Sequence, residues 1–194
     1  MLAEAARILQ HGPMPARLPR NFGAYAAMEA FNILLVPGTV LYFAFPIHPL
    51  ERVATLLAAV ACAGLLLVGA RYWAGVHARV TRRELSGLER ALDFAERTRR
   101  PLLWLTVAAA AAVLWTWAAR GLTAPVIGAG VLTILAALEY VNYFHRQLQH
   151  FDRWTDLKRL LATRRLPRAH MARALAARRG VSRSAAEPPR RPAP

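Results

Sequence analysis

Residues 53–70 read VATLLAAVACAGLLLVGA, eighteen positions without a charge. A helix over them is about 27 Å long, close to the roughly 30 Å of a bilayer's hydrocarbon core. Two further uncharged stretches of similar length follow, Leu102 to Ala119 and Gly121 to Leu138. An earlier one, Tyr25 to Ile47, holds Glu29, Asn32, Pro37 and Pro46, yet Ile33 to Phe45 is otherwise apolar and too long to leave in water. Pro37-Gly38 predicts a kink or a local unwinding there. That segment starts more than twenty residues into the sequence, carries Glu29 and is followed by Pro-Ile-His-Pro, not by a small-x-small cleavage site. It therefore reads as a retained span and not as a signal peptide.

Around these stretches the 194-residue chain is 56% apolar, yet carries 26 Lys+Arg against 11 Asp+Glu, a net charge of +15. In a soluble domain the two properties conflict; here they occupy different places, which excludes a soluble enzyme, a disulfide scaffold and a disordered protein. Arg52 and Arg120 lie in the first and third connections and Arg71 inside the second span, while the other 23 basic residues fall before the first span, in the middle connection or after the fourth. The positive-inside rule then predicts both termini and the middle connection in the cytoplasm.

The expected fold is an all-α membrane protein: a four-transmembrane-helix bundle with a cytoplasmic helical extension of the fourth helix and a disordered basic C-terminal tail. Residues 1–23 form a cytoplasmic N-terminal segment and 24–145 the bundle, with spans about 25–47, 52–76, 101–119 and 122–145. Between spans two and three, a cytoplasmic helical hairpin over 77–100 places Val80, Leu85, Leu88, Leu92 and Ala95 at near-helical spacing, with a break at Ser86-Gly87. The short connections Pro46 to Glu51 and Arg120 to Thr123 predict tight antiparallel pairs. From Thr123 to about Thr163 good helix formers predict one continuous helix of roughly 60 Å. Leu166-Pro167 ends it; within the basic cytoplasmic helices 146–180 a second helix, Arg168 to Arg179, stops at Gly180. Residues 181–194, rich in proline and arginine, are expected to be disordered.

Polar residues inside the spans are the candidate site. Glu29 and Asn32 of the first span, Arg71 of the second, and Glu139, Asn142 and Tyr143 of the fourth reach comparable depths near the cytoplasmic boundary. Two roles are open to this layer. In one, Glu29 and Glu139 share a desolvated pocket as a proton- or cation-linked site, with Arg71 setting the balance. In the other, Arg71 bridges the two glutamates as structural glue while Asn32, Asn142 and Tyr143 satisfy what remains. At 100° per residue Glu139, Asn142, Tyr143, Arg146, His150 and Arg153 share one helix face, so the polar stripe is expected to continue into the cytoplasmic extension. Ala108/Ala112 and Ala124/Gly128 are small-xxx-small pairs, and Gly64 and Gly69 flatten part of span two, as helix packing in lipid requires. Trp104, Trp115 and Trp117, with Tyr72 and Trp73, read as the interfacial aromatic belt.

Cys62 is the sole cysteine, so an intrachain disulfide and a cysteine metal site are excluded. The six histidines include no His-Glu-x-x-His, and no phosphate-binding glycine loop or nucleophile elbow is present. No catalytic residue, metal or cofactor is expected. In the tail, Arg164, Arg165, Arg168, Arg173, Arg178 and Arg179 are expected to contact anionic lipid headgroups, each gaining about 1 kcal/mol near the surface. With only Phe151 and Trp154 as aromatics, the tail lacks the stacking platform of a specific nucleic-acid reader. The use of 25 arginines to one lysine, with abundant alanine, suggests a GC-rich bacterial genome and hence an inner (plasma) membrane.

Four short spans with a glutamate in the first, set in Ala27-Met28-Glu29-Ala30-Phe31-Asn32, resemble the small multidrug transporters. Those chains lack a long basic tail and a large middle loop, and no function is carried across. The reading of the residues is a non-enzymatic accessory or scaffolding protein that engages anionic lipids or another membrane protein, with a homo-oligomer open. The alternative is a small proton- or cation-linked transporter or channel subunit using Glu29, Arg71 and Glu139.

Overall fold

A computed structural model describes residues 22–146 and 168–186. Its helices are α1 (Phe22–Phe43), α2 (Pro49–Arg82), α3 (Ser86–Arg120), α4 (Ala124–Phe144) and α5 (His170–Ala186). The first four are each long and apolar enough to cross a membrane. α2 is the central helix: 56% of its apolar window is buried inside the protein, against 11% for α1, 22% for α3 and 33% for α4. The residues that decided the fold, Ala54 to Ala70, therefore form the core, with Ala58, Ala61, Cys62, Leu65 and Val68 at or near zero exposure. The apolar side chains left outside, such as Leu34, Tyr42, Val60, Leu114 and Ile134, face the surroundings as spanning helices require.

Sequence chemistry sets the helix ends. His48 accepts the Leu50 N–H on Nδ1 (3.3 Å) with Pro49 at the first helical position, and Thr123 accepts the Val126 N–H (3.5 Å) with Pro125 behind it. Both are the side-chain acceptor plus proline pattern that satisfies a helix start. Span one lies a few residues earlier than the expected 25–47, running from Phe22 to Phe43, and it stays helical through the buried Pro37 without unwinding. Between α2 and α3 the break falls at Arg83 to Leu85 and not at Ser86-Gly87, which open α3; Arg83 takes a left-handed conformation (φ 55°) and the Glu84 N–H reaches the Ala78 carbonyl. Glycine allows this hairpin to close: a Cβ on Gly75 would sit 2.8 Å from the Leu88 Cα, so the two backbones touch.

At 22 and 21 residues, α1 and α4 are each about 32 Å long and match a bilayer core, whereas α2 and α3 at 34 and 35 residues reach about 52 Å. The excess of α2 and α3 projects past the Phe22 and Phe144 ends. This end also carries the arginines of the α2–α3 turn and will be called the basic end.

Two expectations about the chain after the bundle are corrected. The fourth helix does not continue to Thr163: it ends at Phe144, with His145 leaving helical geometry (φ −130°, ψ −73°) and both His145 and Arg146 N–H groups closing on the Val141 carbonyl. Arg146 then makes an antiparallel bridge with Arg168, and the Ala169 N–H donates to the His145 carbonyl (3.2 Å). The break lets α5 fold back under the bundle and bury Met171, Ala172 and Leu175, a tertiary gain that local helix propensity does not register. α5 itself starts at His170 and passes through Gly180 to Ala186, so 181–186 is helical where disorder was expected. A mid-helix glycine costs only about 1 kcal/mol relative to alanine, and the flanking alanines and arginines are good helix formers. The remaining expectations for 1–21, 147–167 and 187–194, including the headgroup contacts of Arg164 and Arg165 and the place of His150 and Arg153, lie outside the described residues.

Candidate functional site

The polar layer forms where α1 begins and α4 ends. Glu29, two turns into α1, is buried, and its Oε1 accepts a 2.9 Å hydrogen bond from the Tyr143 hydroxyl of α4. Tyr143 is itself 5% exposed and also faces Glu139, whose Oε2 accepts from Asn142 Nδ2 at 3.4 Å. The phenol thus stands between two carboxyl groups. Its seat is on α2: a Cβ at Gly69 would overlap the Tyr143 hydroxyl, so only glycine admits the ring at that level. Asn32 lies one turn beyond Glu29 on the same face and is half-buried.

Arg71 does not join this layer. Its side chain is exposed and its guanidinium stacks on the Phe94 ring of α3, 4.5 Å from the centroid. Neither of the two ion pairs found among the described residues involves it; they join Arg90 to Glu84 and Arg178 to Asp93. The reason is angular. Gly69 and Arg71 are two residues apart, about 200° around the helix, so an α2 that presents Gly69 to Tyr143 turns Arg71 to the opposite side. The ion-bridge expectation is therefore corrected to a hydrogen bond from a tyrosine. The polar stripe also stops with the helix, since Arg146 lies past its end.

Other expectations shift by one position. On α3 the inward face is Leu102, Thr106, Ala109 and Thr116, so Ala109 packs and Ala108 is exposed. Gly64 and Gly128 do sit at close approaches, to Leu102 and Val40 respectively, whereas Ala124 is exposed. Trp104, Trp115 and Trp117 are exposed as a belt requires, but Tyr72 is a core residue and Trp73 stacks with Phe22 at 5.9 Å and meets Tyr25 at 5.8 Å.

Beneath the polar layer, at the basic end, a cavity of about 400 Å³ opens between α3, the end of α4 and the start of α5. Arg99, Phe144, His145, Arg146, Arg168, Ala172 and Leu175 line it. Arg99 lies over the Phe144 ring at 5.7 Å. Burial, and then the Arg99 charge, hold His145 below the ordinary imidazole range. Of the tail arginines expected at headgroups, Arg168 and Arg173 are exposed, Arg178 pairs with Asp93 of α3, and the side chain of Arg179 lies outside the described atoms. Among the described residues no group of three or more His, Cys, Asp and Glu side chains could hold a metal ion.

Sequence reading missed three residues. Arg99 is one of the basic residues of the middle connection and Asp93 lies among them, and neither stands in a motif. Glu51, which the sequence shows only as the end of the first connection, is buried and its Oε1 accepts from the Thr123 hydroxyl at 2.9 Å, tying the starts of α2 and α4 together. Its signal was the Thr-x-Pro start of α4, which places a hydroxyl where a carboxylate can reach it.

The fold and this site define a multi-pass helical membrane protein. No known protein family, curated protein or solved structure matches the chain.

Proposed function

We propose that this is a non-enzymatic accessory or scaffolding protein of a bacterial inner membrane, whose arginine-rich end faces the cytoplasm and engages anionic lipid headgroups. One observation carries the reading: no arginine enters the contact between Glu29 and Tyr143, and most of the described arginines gather at one end of the bundle. Glu29 is buried against Tyr143, while Arg99, Arg146 and Arg168 surround an open cavity. A buried carboxyl group hydrogen-bonded to a tyrosine favours packing over ion passage, since transport through the layer requires water to reach the carboxyl groups. α1 and α4 match the bilayer core, so the cavity beside Phe144 falls at headgroup level.

Full-length protein in nanodiscs containing both neutral and anionic lipid tests this. Extraction followed by lipid analysis is expected to show anionic lipid enriched over its bulk fraction, with the enrichment falling as salt rises. Recovery of neutral and anionic lipid in their bulk ratio would refute the reading.

A further inference from the structure

Resting on the reading that the arginine-rich end engages anionic lipid, we propose that the cavity between α3, α4 and α5 is a binding site for the phosphomonoester headgroup of a lipid, held by Arg99, Arg146 and Arg168. All three line the cavity, and among the described residues no carboxylate does. Neither ion pair among the described residues involves Arg99 or Arg168, and Asp93, on the same helix as Arg99, is engaged by Arg178. His145 lines the same cavity, its basicity lowered by burial and then by the Arg99 charge. Ala169 caps the start of α5 through its carbonyl, which accepts the Arg173 N–H at 3.0 Å, but alanine offers no side-chain acceptor to the first-turn N–H groups.

The donor set selects the ligand. A guanidinium carries forked N–H pairs suited to bidentate contact with phosphate oxygens, and three arginines line the cavity. A phosphomonoester offers three terminal oxygens and a charge of about −1.5 to −2 at neutral pH, whereas a phosphodiester offers two oxygens and a single charge. The volume, about 400 Å³, suits a small headgroup, and Phe144, Ala172 and Leu175 add apolar lining for the glycerol and first acyl carbons.

Binding to the full chain in phosphatidylcholine nanodiscs is measured by displacement of a fluorescent phosphatidic acid, with unlabelled phosphatidic acid, phosphatidylglycerol, inorganic phosphate and glycerol 3-phosphate as competitors. Phosphatidic acid is expected to compete best. Arg99→Gln and Arg168→Gln should each weaken it by about tenfold or more, as loss of a charge-assisted contact implies. Arg90→Gln, an exposed site in the α2–α3 turn, should leave it unchanged; Arg168 is also exposed, so its variant carries the test if Arg99→Gln misfolds. Equal competition by phosphatidylglycerol would overturn the monoester selection. Competition by inorganic phosphate or glycerol 3-phosphate at the lipid's own concentration would overturn the lipid source. Wild-type affinity in both cavity variants would overturn the site while general anionic enrichment survives; loss of that enrichment too would end both readings.

Discussion

Tyr143 shows how much a single position in a membrane bundle has to satisfy. It needs a partner for its hydroxyl, since a phenol buried without one costs on the order of 1–3 kcal/mol, and it finds Glu29 at 2.9 Å. It also needs space, which Gly69 supplies by lacking a Cβ. The two requirements separate by mutation. Tyr143→Phe removes the hydrogen bond but keeps the ring, and should lower unfolding stability by about 1–3 kcal/mol. Gly69→Leu pushes a side chain into the ring's place and should cost at least as much as the usual 1–3 kcal/mol of overpacking. In the double variant Gly69→Leu/Tyr143→Ala the overpacking should be relieved, so the two costs should not add. Unfolding of detergent-solubilised protein followed by circular dichroism checks this, and strict additivity would show that the two residues do not meet. Glu29, Glu139 and Tyr143 were recognisable from sequence because polar residues inside apolar stretches stand out. Arg71 stood out equally and was placed wrongly. Depth along a helix is readable from residue number, whereas the facing direction depends on which α2 face the bundle buries, and an almost uniformly apolar helix does not encode that in its pattern.

At the scale of elements, the hairpin of α2 and α3 was legible and the end of α4 was not, for one physical reason. The α2–α3 turn is fixed locally, by a left-handed Arg83 and by Gly75 against Leu88. The α4 end is fixed by what lies far along the chain: α5 returns to place Met171 and Leu175 under the bundle, and His145 yields its helical geometry to that closure. The docking of α5 has a pH-sensitive element. His170 lies with Nδ1 3.0 Å from the Arg173 guanidinium, and burial followed by the Arg173 charge lowers its basicity from the ordinary 6.5. Because the docked state holds the proton less readily than the undocked chain, docking is at full strength above the ordinary value and weakens as pH falls through the lowered one. Hydrogen exchange of the amides of α5 should therefore accelerate between about pH 7.5 and pH 5, beyond the intrinsic chemical trend. His170→Gln should remove that dependence; an unchanged profile in the variant would mean that another group controls docking.

Across the whole molecule, helix lengths and charge tell one story from independent observations. α1 and α4 are cut to a bilayer's thickness, α2 and α3 overhang at one end only, and that end holds Arg79, Arg82, Arg83, Arg90, Arg97, Arg99 and Arg100, with α5 packed against it. The opposite end has short connections, 44–48 and 121–123, pinned by Glu51 to Thr123 and by Arg52 to the Pro46 carbonyl (3.2 Å). A thick basic end and a thin opposite end form the shape expected if basic segments stay in the compartment where the chain is made. Single cysteines on a Cys62→Ser background test the orientation, since Cys62 is buried and its replacement removes the sole native thiol. Leu122→Cys, exposed beside Gly121, should react with a membrane-impermeant maleimide on intact spheroplasts. Ser86→Cys, exposed at the α2–α3 turn, should react only after permeabilisation. The reverse pattern would place the arginine-lined cavity on the outer face, away from the cytoplasmic leaflet and its anionic lipids, and the lipid reading would fall with the topology. Equal labelling of both sites on intact cells would mean insertion in two orientations, which the 23-to-2 bias of basic residues argues against.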